Sequence, residues 1–176
     1  SPVHCWPNLE CLAVWSGGSA GAYASRLQET FGDIAVRDHG LHASEGRMTI
    51  PFEDNTPSGV LDIESHFFEF VPVDEIDSTA PVVLEAHELE RDVEYFILLT
   101  TSSGLYRYNI FDVVRCTGFF GTTPLLEFRH KGQHLSSIAG EKISESQVVE
   151  SVAAACRQTT VSLQQFTLTP EWGEPP

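Results

Sequence analysis

Short apolar runs broken by turn residues give the first third of the chain a strand–helix–strand pattern. Residues 11–16 are apolar and end at a glycine pair, as a buried parallel strand does before a tight turn. Residues 22–31 follow the 3.6-residue spacing of a helix with one apolar face. Residues 34–36 form the next apolar run. The pattern predicts a β-α-β unit, part of a parallel α/β layer.

The pattern becomes richer in strands from Gly59 onward. Aromatic and β-branched residues, which favour strands, fill several short runs separated by Gly, Pro, Ser and Thr. The candidate strands are residues 60–73, 81–86, 95–101, 105–115 and 125–129. Short strands joined by turns are typical of antiparallel sheets and small barrels. We therefore expect a small antiparallel sheet or barrel in this part of the chain.

The final regular element predicted is a helix. Ser144 and Gln147 have the spacing of a capping box at its start. The apolar residues that follow lie on one helical stripe: Val148, Val149, Val152 and Cys156. The predicted fold class is thus α/β plus β-rich, with a parallel α/β portion, an antiparallel portion and a helix near the end.

Composition and charge narrow the classes of partner. Of 176 residues, 41% are hydrophobic and 20% are charged, as in ordinary soluble globular proteins. The net charge of −15 opposes binding to nucleic acids and to anionic membranes, both of which require clustered Lys and Arg. The chain has no apolar run long enough to span a bilayer. A nucleotide needs few local donors, so the net charge leaves nucleotide binding open.

The cysteines indicate a reducing compartment. Cys5, Cys11, Cys116 and Cys156 form neither a CxxC pair nor a zinc-binding spacing. We predict that Cys11 and Cys116 are buried thiols, because apolar residues surround them in the sequence. The cytoplasm is the expected location.

A carboxylate inside a strand-like run marks a candidate binding residue. Asp112 follows aromatic and aliphatic residues and precedes two valines. A buried carboxylate is costly unless it has a partner or a ligand. It can hold a ribose by accepting two hydrogen bonds from neighbouring hydroxyls, or pair with Arg107 or Arg115. On residue chemistry alone the ion pair is the commoner outcome.

A second candidate is the small-residue turn at residues 42–46. It follows a short apolar segment, and ligands gather where parallel strands end. Ser44 can bond a phosphate oxygen, and Glu45 offers the oxygen ligand that Mg²⁺ prefers. An exposed Ser-Glu turn without a ligand is the alternative interpretation.

Residues 17–21 match the G-x-S-x-G pattern of a hydrolase nucleophile, which would make Ser19 catalytic. Asp62 with His66 or His87 would complete such a triad. A hydrolase of this class also takes an oxyanion donor from an earlier strand, and only 18 residues precede Ser19. We therefore expect the serine hydrolase to be a remote alternative.

Two histidine pairs have spacings that hold zinc on a helix: His39 with His42, and His130 with His134. Both pairs lie in segments predicted to be strand or loop. Polar surface histidines are the favoured interpretation for both.

Six segments in order resemble one known family, the auxin-responsive Gretchen Hagen 3 acyl acid amido synthetases of the adenylate-forming superfamily. The segments are residues 6–9, 15–18, 43–46, 68–73, 104–115 and 135–143. The resemblance covers nearly the whole chain. It implies use of ATP and magnesium to adenylate a small carboxylic acid, followed by transfer of the acyl group to an amine or amino acid.

The resemblance also implies a nucleotide site made of Gly17, Gly18, Ser44, Glu45, Asp112 and Lys131. Ser44 would contact phosphate, Glu45 would bind Mg²⁺ and Asp112 would hold the ribose. The glycine pair would form part of the wall beside adenine, because glycine permits close approach.

Residues 128–133 resemble the hinge that precedes the mobile C-terminal domain of these enzymes. Lys131 would contact the ribose or the α-phosphate, and Gln133 would be the pivot. The alternative is an exposed basic turn. The implied division is a partial nucleotide-binding layer in 1–56, a β-rich subdomain in 57–130, and the hinge with the start of the C-terminal domain in 131–176.

Three departures from the family pattern affect the expected activity. Leu41 replaces an aromatic residue beside adenine, Phe111 replaces a small residue and could crowd the nucleotide, and the chain lacks the Ser/Thr/Gly-rich phosphate loop. We therefore expect a middle fragment of a larger protein that is inactive alone. A non-catalytic pseudoenzyme or interaction module and an acyl-CoA ligase stay open as alternatives.

Overall fold

The computed structural model describes residues 2–132, 143, 145–159, 161, 163 and 165–169. After a short helix α1 (Pro2–Cys5), strand β1 (Cys11–Val14) pairs in parallel with β2 (Ala35–Asp38). A 3₁₀ helix (Gly18–Tyr23) and helix α2 (Ala24–Phe31) connect them. This arrangement confirms the predicted β-α-β unit, and the parallel part observed consists of two strands.

Strand β1 differs from its prediction in burial. Its residues alternate between exposed and half-buried, and Cys11 is exposed. The prediction of a buried strand and a buried Cys11 thiol was therefore wrong. Because β1 pairs with β2 in a sheet of two strands, no third strand covers its outer edge within the described residues.

A short hairpin and a curled antiparallel sheet follow. The hairpin consists of β3 (His42–Ala43) and β4 (Gly46–Arg47). The seven sheet strands have the spatial order β5-β6-β11-β10-β9-β7-β8, and every pairing is antiparallel. They are β5 (Thr49–Ile50), β6 (Gly59–Leu61), β7 (Phe67–Pro72), β8 (Leu84–Glu85), β9 (Glu94–Thr100), β10 (Tyr108–Phe120) and β11 (Thr123–Lys131).

The sheet confirms the predicted antiparallel structure and corrects two of the predicted strands. Of the run 81–86, only Leu84–Glu85 is a strand. The run 60–73 is two strands, β6 and β7, because a turn separates them and Ser65 Oγ donates a hydrogen bond to Asp62 within it. Strand β5, from the segment predicted to belong to the first unit, pairs with β6. The proposed domain boundaries at 56 and 130 stay predictions.

The core lies on both faces of the sheet. Residues 95–99 of β9 are buried in succession, which is the pattern of a strand covered on two sides. Phe70, Ile97 and Leu99 belong to the larger cluster on one face. The buried Cys116 belongs to the same cluster and confirms its prediction.

Strand β10 is irregular at the point where its candidate ligand lies. Its pairing with β9 slips between Asn109 and Val113, and its pairing with β11 slips between Val113 and Val114. Phe111 adopts a left-handed backbone with φ +59°, and its N–H donates to Asn109 Oδ1 at 2.7 Å. Because of these bulges the strict alternation of faces is lost, and Asp112 is buried next to two buried valines.

Helix α3 (Glu145–Thr159) packs against β11 and the 3₁₀ helix through its half-buried apolar stripe. Arg129 of β11 forms ion pairs with Glu94 at 2.8 Å, Glu127 at 3.4 Å and Glu150 of α3 at 3.3 Å. The predicted cap Ser144, the pivot Gln133, His134 and residues 135–142 of the last motif lie outside the described residues. Within the described part of the chain, no helix has the length and hydropathy needed to cross a bilayer.

Candidate functional site

A cleft of about 320 Å³ opens where the parallel pair meets strands β10 and β11. Three of the predicted site residues line it: Gly17, Asp112 and Lys131. The complete lining consists of Trp15, Gly17, Ser19, Ala20, Asp38, Gly40, Leu41, His42, Ala43, Pro57, Asp112, Phe128 and Lys131. The sequence separation of these residues shows that the cleft exists only when the β-α-β unit and the large sheet pack together.

Asp112 and Lys131 form the charged part of the cleft. They are cross-strand partners in the β10–β11 ladder, and Lys131 Nζ lies 2.5 Å from Asp112 Oδ1. The direction is poor for a hydrogen bond at that oxygen, and Lys131 Nζ also donates to the Ile110 carbonyl at 3.1 Å. The prediction that Asp112 forms an ion pair is therefore confirmed, but its partner is Lys131 and not the predicted Arg107 or Arg115.

The two arginines have other partners. Arg107 pairs with Glu69, with Nη2 2.6 Å from Oε1 and Nε 2.9 Å from Oε2. Arg115 pairs with Glu127 at 2.8 Å. Both carboxylates are buried, so each arginine neutralises a charge that the sheet has removed from water.

Burial dominates the electrostatics of Asp112. It raises the pKa of this carboxyl above the ordinary value, and the charge of Glu45 raises the pKa further. Lys131 opposes both effects and lowers the pKa. Asp112 is 4% exposed, so its carboxylate is available to a ligand from within the cleft rather than from bulk solvent.

Asp38 organises the strand ends beside the cleft. Its Oδ2 accepts hydrogen bonds from Ser16 N at 2.6 Å and Ser16 Oγ at 2.7 Å, and its Oδ1 accepts one from Gly40 N at 2.7 Å. The carboxylate thus ties the end of β1 to the end of β2. Sequence reasoning missed Asp38, although an acidic residue directly after a short apolar run was a usable signal.

Ser44 and Glu45 form the two-residue turn of the β3–β4 hairpin at the rim of the cleft. Ala43, directly before them, lines the cleft. Ser44 is exposed and Glu45 is half-buried, and neither belongs to the lining itself. Glu45 is close enough for its charge to act on Asp112, so the hairpin and β10 share one electrostatic environment.

Gly17 and Gly18 let the first loop approach β11 closely. A Cβ on Gly17 would lie 3.1 Å from the Phe128 carbonyl oxygen. Gly18 has φ +57°, and its Cβ would lie 2.9 Å from the Phe128 ring. Gly17 lines the cleft, whereas Gly18 lines a small neighbouring hollow beside Arg129. Both glycines are therefore required by packing against the strand as well as by any ligand.

Three aromatic rings cluster at the mouth of the cleft. The Trp15 ring centroid lies 5.7 Å from that of His39 and 5.4 Å from that of His42, and Trp15 is 60% exposed. Leu41 packs against the large core cluster and lines the cleft. Sequence reasoning assigned no role to Trp15, whose exposed ring lines the cleft together with Phe128 and His42, while Leu41 contributes an aliphatic side chain.

Phe111 does not line the cleft. Its side chain is 42% exposed, and the left-handed backbone turns it away from the position that Asp112 occupies. Because Phe111 is not part of the cleft lining, the structure does not support the expectation that its side chain would crowd a nucleotide there.

Ser19 lines the cleft without a catalytic partner. Within the described residues it forms no hydrogen bond with a histidine, and His66 and His87 line a separate cavity. His42 lines the same cleft as Ser19, but its Nδ1 interacts with the Gly40 carbonyl at 3.1 Å. The geometry gives the serine hydrolase alternative no support.

Glu45 could serve as a ligand only for a magnesium ion that also binds substrate phosphates. Within the described residues, no three His, Cys, Asp or Glu side chains come together as a metal-binding group. Mg²⁺ bound together with substrate phosphates needs only one or two carboxylates from the protein. Glu45 forms no ion pair in the described part of the chain, so its half-buried carboxylate meets that requirement.

Comparison with known proteins places the chain in a family. Residues 59–131 match the GH3 family central domain. The indole-3-acetic acid-amido synthetase GH3.8 of Oryza sativa subsp. indica is 32% identical over 174 residues, which cover 92% of this chain and 28% of the relative. The jasmonoyl–L-amino acid synthetase JAR4 of Nicotiana attenuata is 29% identical over 157 residues, covering 86% and 27% respectively.

Solved structures give the same result. The GH3.15 acyl acid amido synthetase superposes with a TM-score of 0.80 at 25% identity, covering 90% of this chain and 28% of that one. AtGH3.15 in complex with 2,4-DB superposes with a TM-score of 0.79 at 27% identity. The chain spans little more than a quarter of the length of these relatives. The chain belongs to the GH3 family, and the residues that match the family's central domain, 59–131, include six of the seven strands of the large sheet.

Proposed function

We propose that this chain contributes the nucleotide-holding part of an ATP-dependent acyl acid amido synthetase. The observation that carries the proposal is the buried Asp112 carboxylate, which faces a cleft at the junction of the β-α-β unit and the sheet. Ligand pockets commonly form at such junctions. The relatives named above are amido synthetases, which agrees with the proposal.

The proposed reaction has two steps. A small carboxylic acid attacks the α-phosphate of ATP, giving an acyl-adenylate and pyrophosphate. An amine or amino acid then attacks the activated carbonyl, forming the amide and releasing AMP. Both steps require a fixed nucleoside and positive charge near the phosphates.

Asp112 and Lys131 divide these requirements. The Asp112 carboxylate accepts hydrogen bonds from both ribose hydroxyls, which fixes the sugar. Lys131 is 57% exposed at its side chain, so its ammonium can turn from Asp112 towards the ribose or the α-phosphate as a point charge.

The hairpin turn and the rings complete the site. Ser44 contacts a phosphate oxygen and Glu45 holds Mg²⁺ together with the phosphates, where the ion supplies charge neutralisation. Trp15, two residues before the glycine pair, lines the cleft and presents its ring to adenine, in the role that Leu41 cannot perform.

The proposed partners are small molecules, in keeping with the charge of the chain. A net charge of −15 argues against nucleic acid and anionic membrane surfaces. All four cysteines are free thiols, which suits the reducing cytoplasm that we expect.

Calorimetric titration of the chain with AMP tests the proposal. Asp112→Ala should weaken binding by about 1–3 kcal/mol, the range for a hydrogen bond to a charged group. Asp112→Asn should weaken it less, because one acceptor oxygen remains. Asp33→Ala, which removes an exposed carboxylate from the loop before β2, is the matched control. Equal affinity of Asp112→Ala and the unmodified chain would remove the ribose role.

A non-catalytic binding module of the same fold is the second candidate. It is favoured by the Asp112–Lys131 ion pair, which gives the carboxylate a charged partner from the chain itself. Carboxylate-dependent exchange of pyrophosphate with ATP, measured on the longest chain containing these residues, separates the two: exchange supports the synthetase, and AMP binding without exchange supports the module.

A further inference from the structure

A second cavity of about 270 Å³ lies on the far side of the β3–β4 hairpin from the cleft. Its walls come from the loop after β6, the start of β7, the 3₁₀ helix Ala86–Glu88 and the turn between β10 and β11. It shares no lining residue with the cleft. Nothing proposed above for nucleotide binding uses this cavity.

His66 holds a buried nitrogen in this wall. Its Nδ1 is buried and has no hydrogen-bond partner among the described residues. The ring is held in place on two sides: a Cβ on Gly46 would lie inside contact distance of Nε2, and the Phe68 ring packs edge-on at 6.0 Å. A buried polar atom without a partner is rare in native proteins, but this nitrogen is too enclosed for a ligand in the cavity to reach it, so His66 contributes its ring to the wall.

The charge of the cavity selects the class of ligand. Glu85 is the one lining residue, among those described, with a formal charge at neutral pH. Its carboxylate lies 3.5 Å from His87 Nδ1 and is 60% exposed at its side chain. An exposed carboxylate offers acceptors to a ligand that donates hydrogen bonds and carries positive charge.

The apolar wall provides a complementary surface. Phe67 is 54% exposed and Ile63 is 59% exposed, and both line the cavity. An exposed aromatic side chain can pack against the ring of a ligand in an offset or edge-to-face arrangement. The net charge of −15 also raises the local concentration of cations at the surface.

The geometry points to this cavity as a binding site for a small organic ammonium compound that carries an apolar ring. The ammonium group donates hydrogen bonds to the Glu85 carboxylate, and the ring packs on Phe67 and Ile63. The site is independent of the proposed synthetase activity, because it is separate from the nucleotide cleft.

Three probes of nearly equal size test the charge requirement: benzylamine, benzyl alcohol and phenylacetate, each titrated into the chain and followed by two-dimensional NMR. Benzylamine is an ammonium ion at neutral pH. It should shift signals of His66, Phe67 and Thr123 and bind about tenfold more tightly than benzyl alcohol, while phenylacetate should bind more weakly than either. The Trp15 indole signal, which reports on the cleft, should not move.

Two variants test the named groups. Glu85→Gln keeps the acceptor oxygen that caps the 3₁₀ helix and removes the charge, so benzylamine should fall to the affinity of benzyl alcohol. His66→Phe keeps a ring against Gly46 and removes a nitrogen that the ligand does not reach, so the preference for benzylamine over benzyl alcohol should remain. Glu53→Gln, at an exposed position outside the cavity, should leave all three affinities unchanged.

The proposal is overturned if the three probes bind equally, if benzylamine shifts the Trp15 signal in place of the cavity signals, or if Glu85→Gln retains the preference for benzylamine. Because Glu85 is exposed and its replacement is conservative, this variant decides the question even where His66→Phe does not fold.

Discussion

Lys131 lies directly across the β10–β11 ladder from Asp112, and the two side chains differ sharply in exposure. The Asp112 side chain is 5% exposed and that of Lys131 is 57% exposed, with 2.5 Å between Nζ and Oδ1. The Asp112 carboxylate is therefore largely desolvated, whereas the Lys131 ammonium remains mostly in contact with water. Loss of the pair should cost the buried carboxylate more than it costs the exposed ammonium.

Replacing Lys131 with Gln should destabilise the chain by about 1–3 kcal/mol, the cost of leaving a buried acceptor without its partner. Denaturant unfolding followed by circular dichroism measures the change. Arg26→Gln removes an exposed cation on α2 and should change the free energy of unfolding by less than about 0.5 kcal/mol. Equal stability of the two variants would show that Lys131 contributes nothing to holding Asp112.

The raised pKa of Asp112 predicts a specific dependence of stability on pH. Because the folded state raises this pKa, mainly through burial, the folded chain binds more protons at Asp112 than the unfolded chain between the ordinary and the raised pKa. The contribution of Asp112 to the free energy of unfolding therefore increases as the pH falls through that window. At neutral pH the ionised group is a net cost.

Asp112→Asn should accordingly be more stable than the unmodified chain at neutral pH, and the difference should shrink as the pH falls towards the ordinary Asp value of about 3.9. Thermal unfolding of both chains across pH 4–8 measures the difference in stability. The other carboxylates are the same in both chains, so their contributions to the pH dependence cancel. A difference that grows as the pH falls contradicts the assignment.

Phe111→Gly should stabilise the fold by about 0.5–1 kcal/mol. Phe111 has φ +59°, where a side chain costs about 1–2 kcal/mol and glycine costs nothing, although glycine loses more chain entropy on folding. Phe119→Gly is the control, because Phe119 is equally exposed on the same strand and lies outside the residues with positive φ. It should destabilise. Thermal unfolding that ranks the two variants in the opposite order rejects backbone strain at Phe111.

Gly46→Ala should destabilise by about 1–3 kcal/mol, because the new methyl group would overlap the His66 ring. The pair is tested by a double-mutant cycle with His66→Ala, which removes the obstacle. The double variant should be more stable than the sum of the single changes predicts. Simple additivity would show that the hairpin and the loop after β6 do not constrain each other.

The secondary structure could be predicted where local patterns and packing agree. The β-α-β unit and most sheet strands follow from runs of apolar residues and from Gly and Pro at turns. The break between β6 and β7 was missed because a hydrogen bond between Ser65 and Asp62 closes a turn that apolar periodicity does not indicate. Exposure of Cys11 was missed because burial depends on how many strands join the parallel pair.

Several residues of the candidate site could be predicted from the sequence, but the side chains that they contact could not. Asp112 was found because a carboxylate in an apolar run is anomalous, but its pairing with Lys131 depends on bulges that shift the register of β10. Trp15 reaches the cleft through packing of the two units, which no spacing in the sequence encodes, whereas the position of Asp38 just after a short apolar run was a signal that went unused. Ser44 and Glu45 keep their predicted roles as hypotheses, placed on a hairpin turn rather than at the end of a parallel strand.

The three carboxylates around Arg129 have a consequence for movement of α3. Glu94 and Glu127 belong to the sheet and keep the guanidinium neutralised whether or not the helix is present. Only Glu150, which is 65% exposed at its side chain, contributes from the helix among these three. An exposed ion pair of this kind is worth about 0.2–1 kcal/mol. The electrostatic barrier that this ion pair sets to lifting the helix off the sheet is thus close to thermal energy, and the half-buried apolar stripe of α3 adds to how firmly the helix stays.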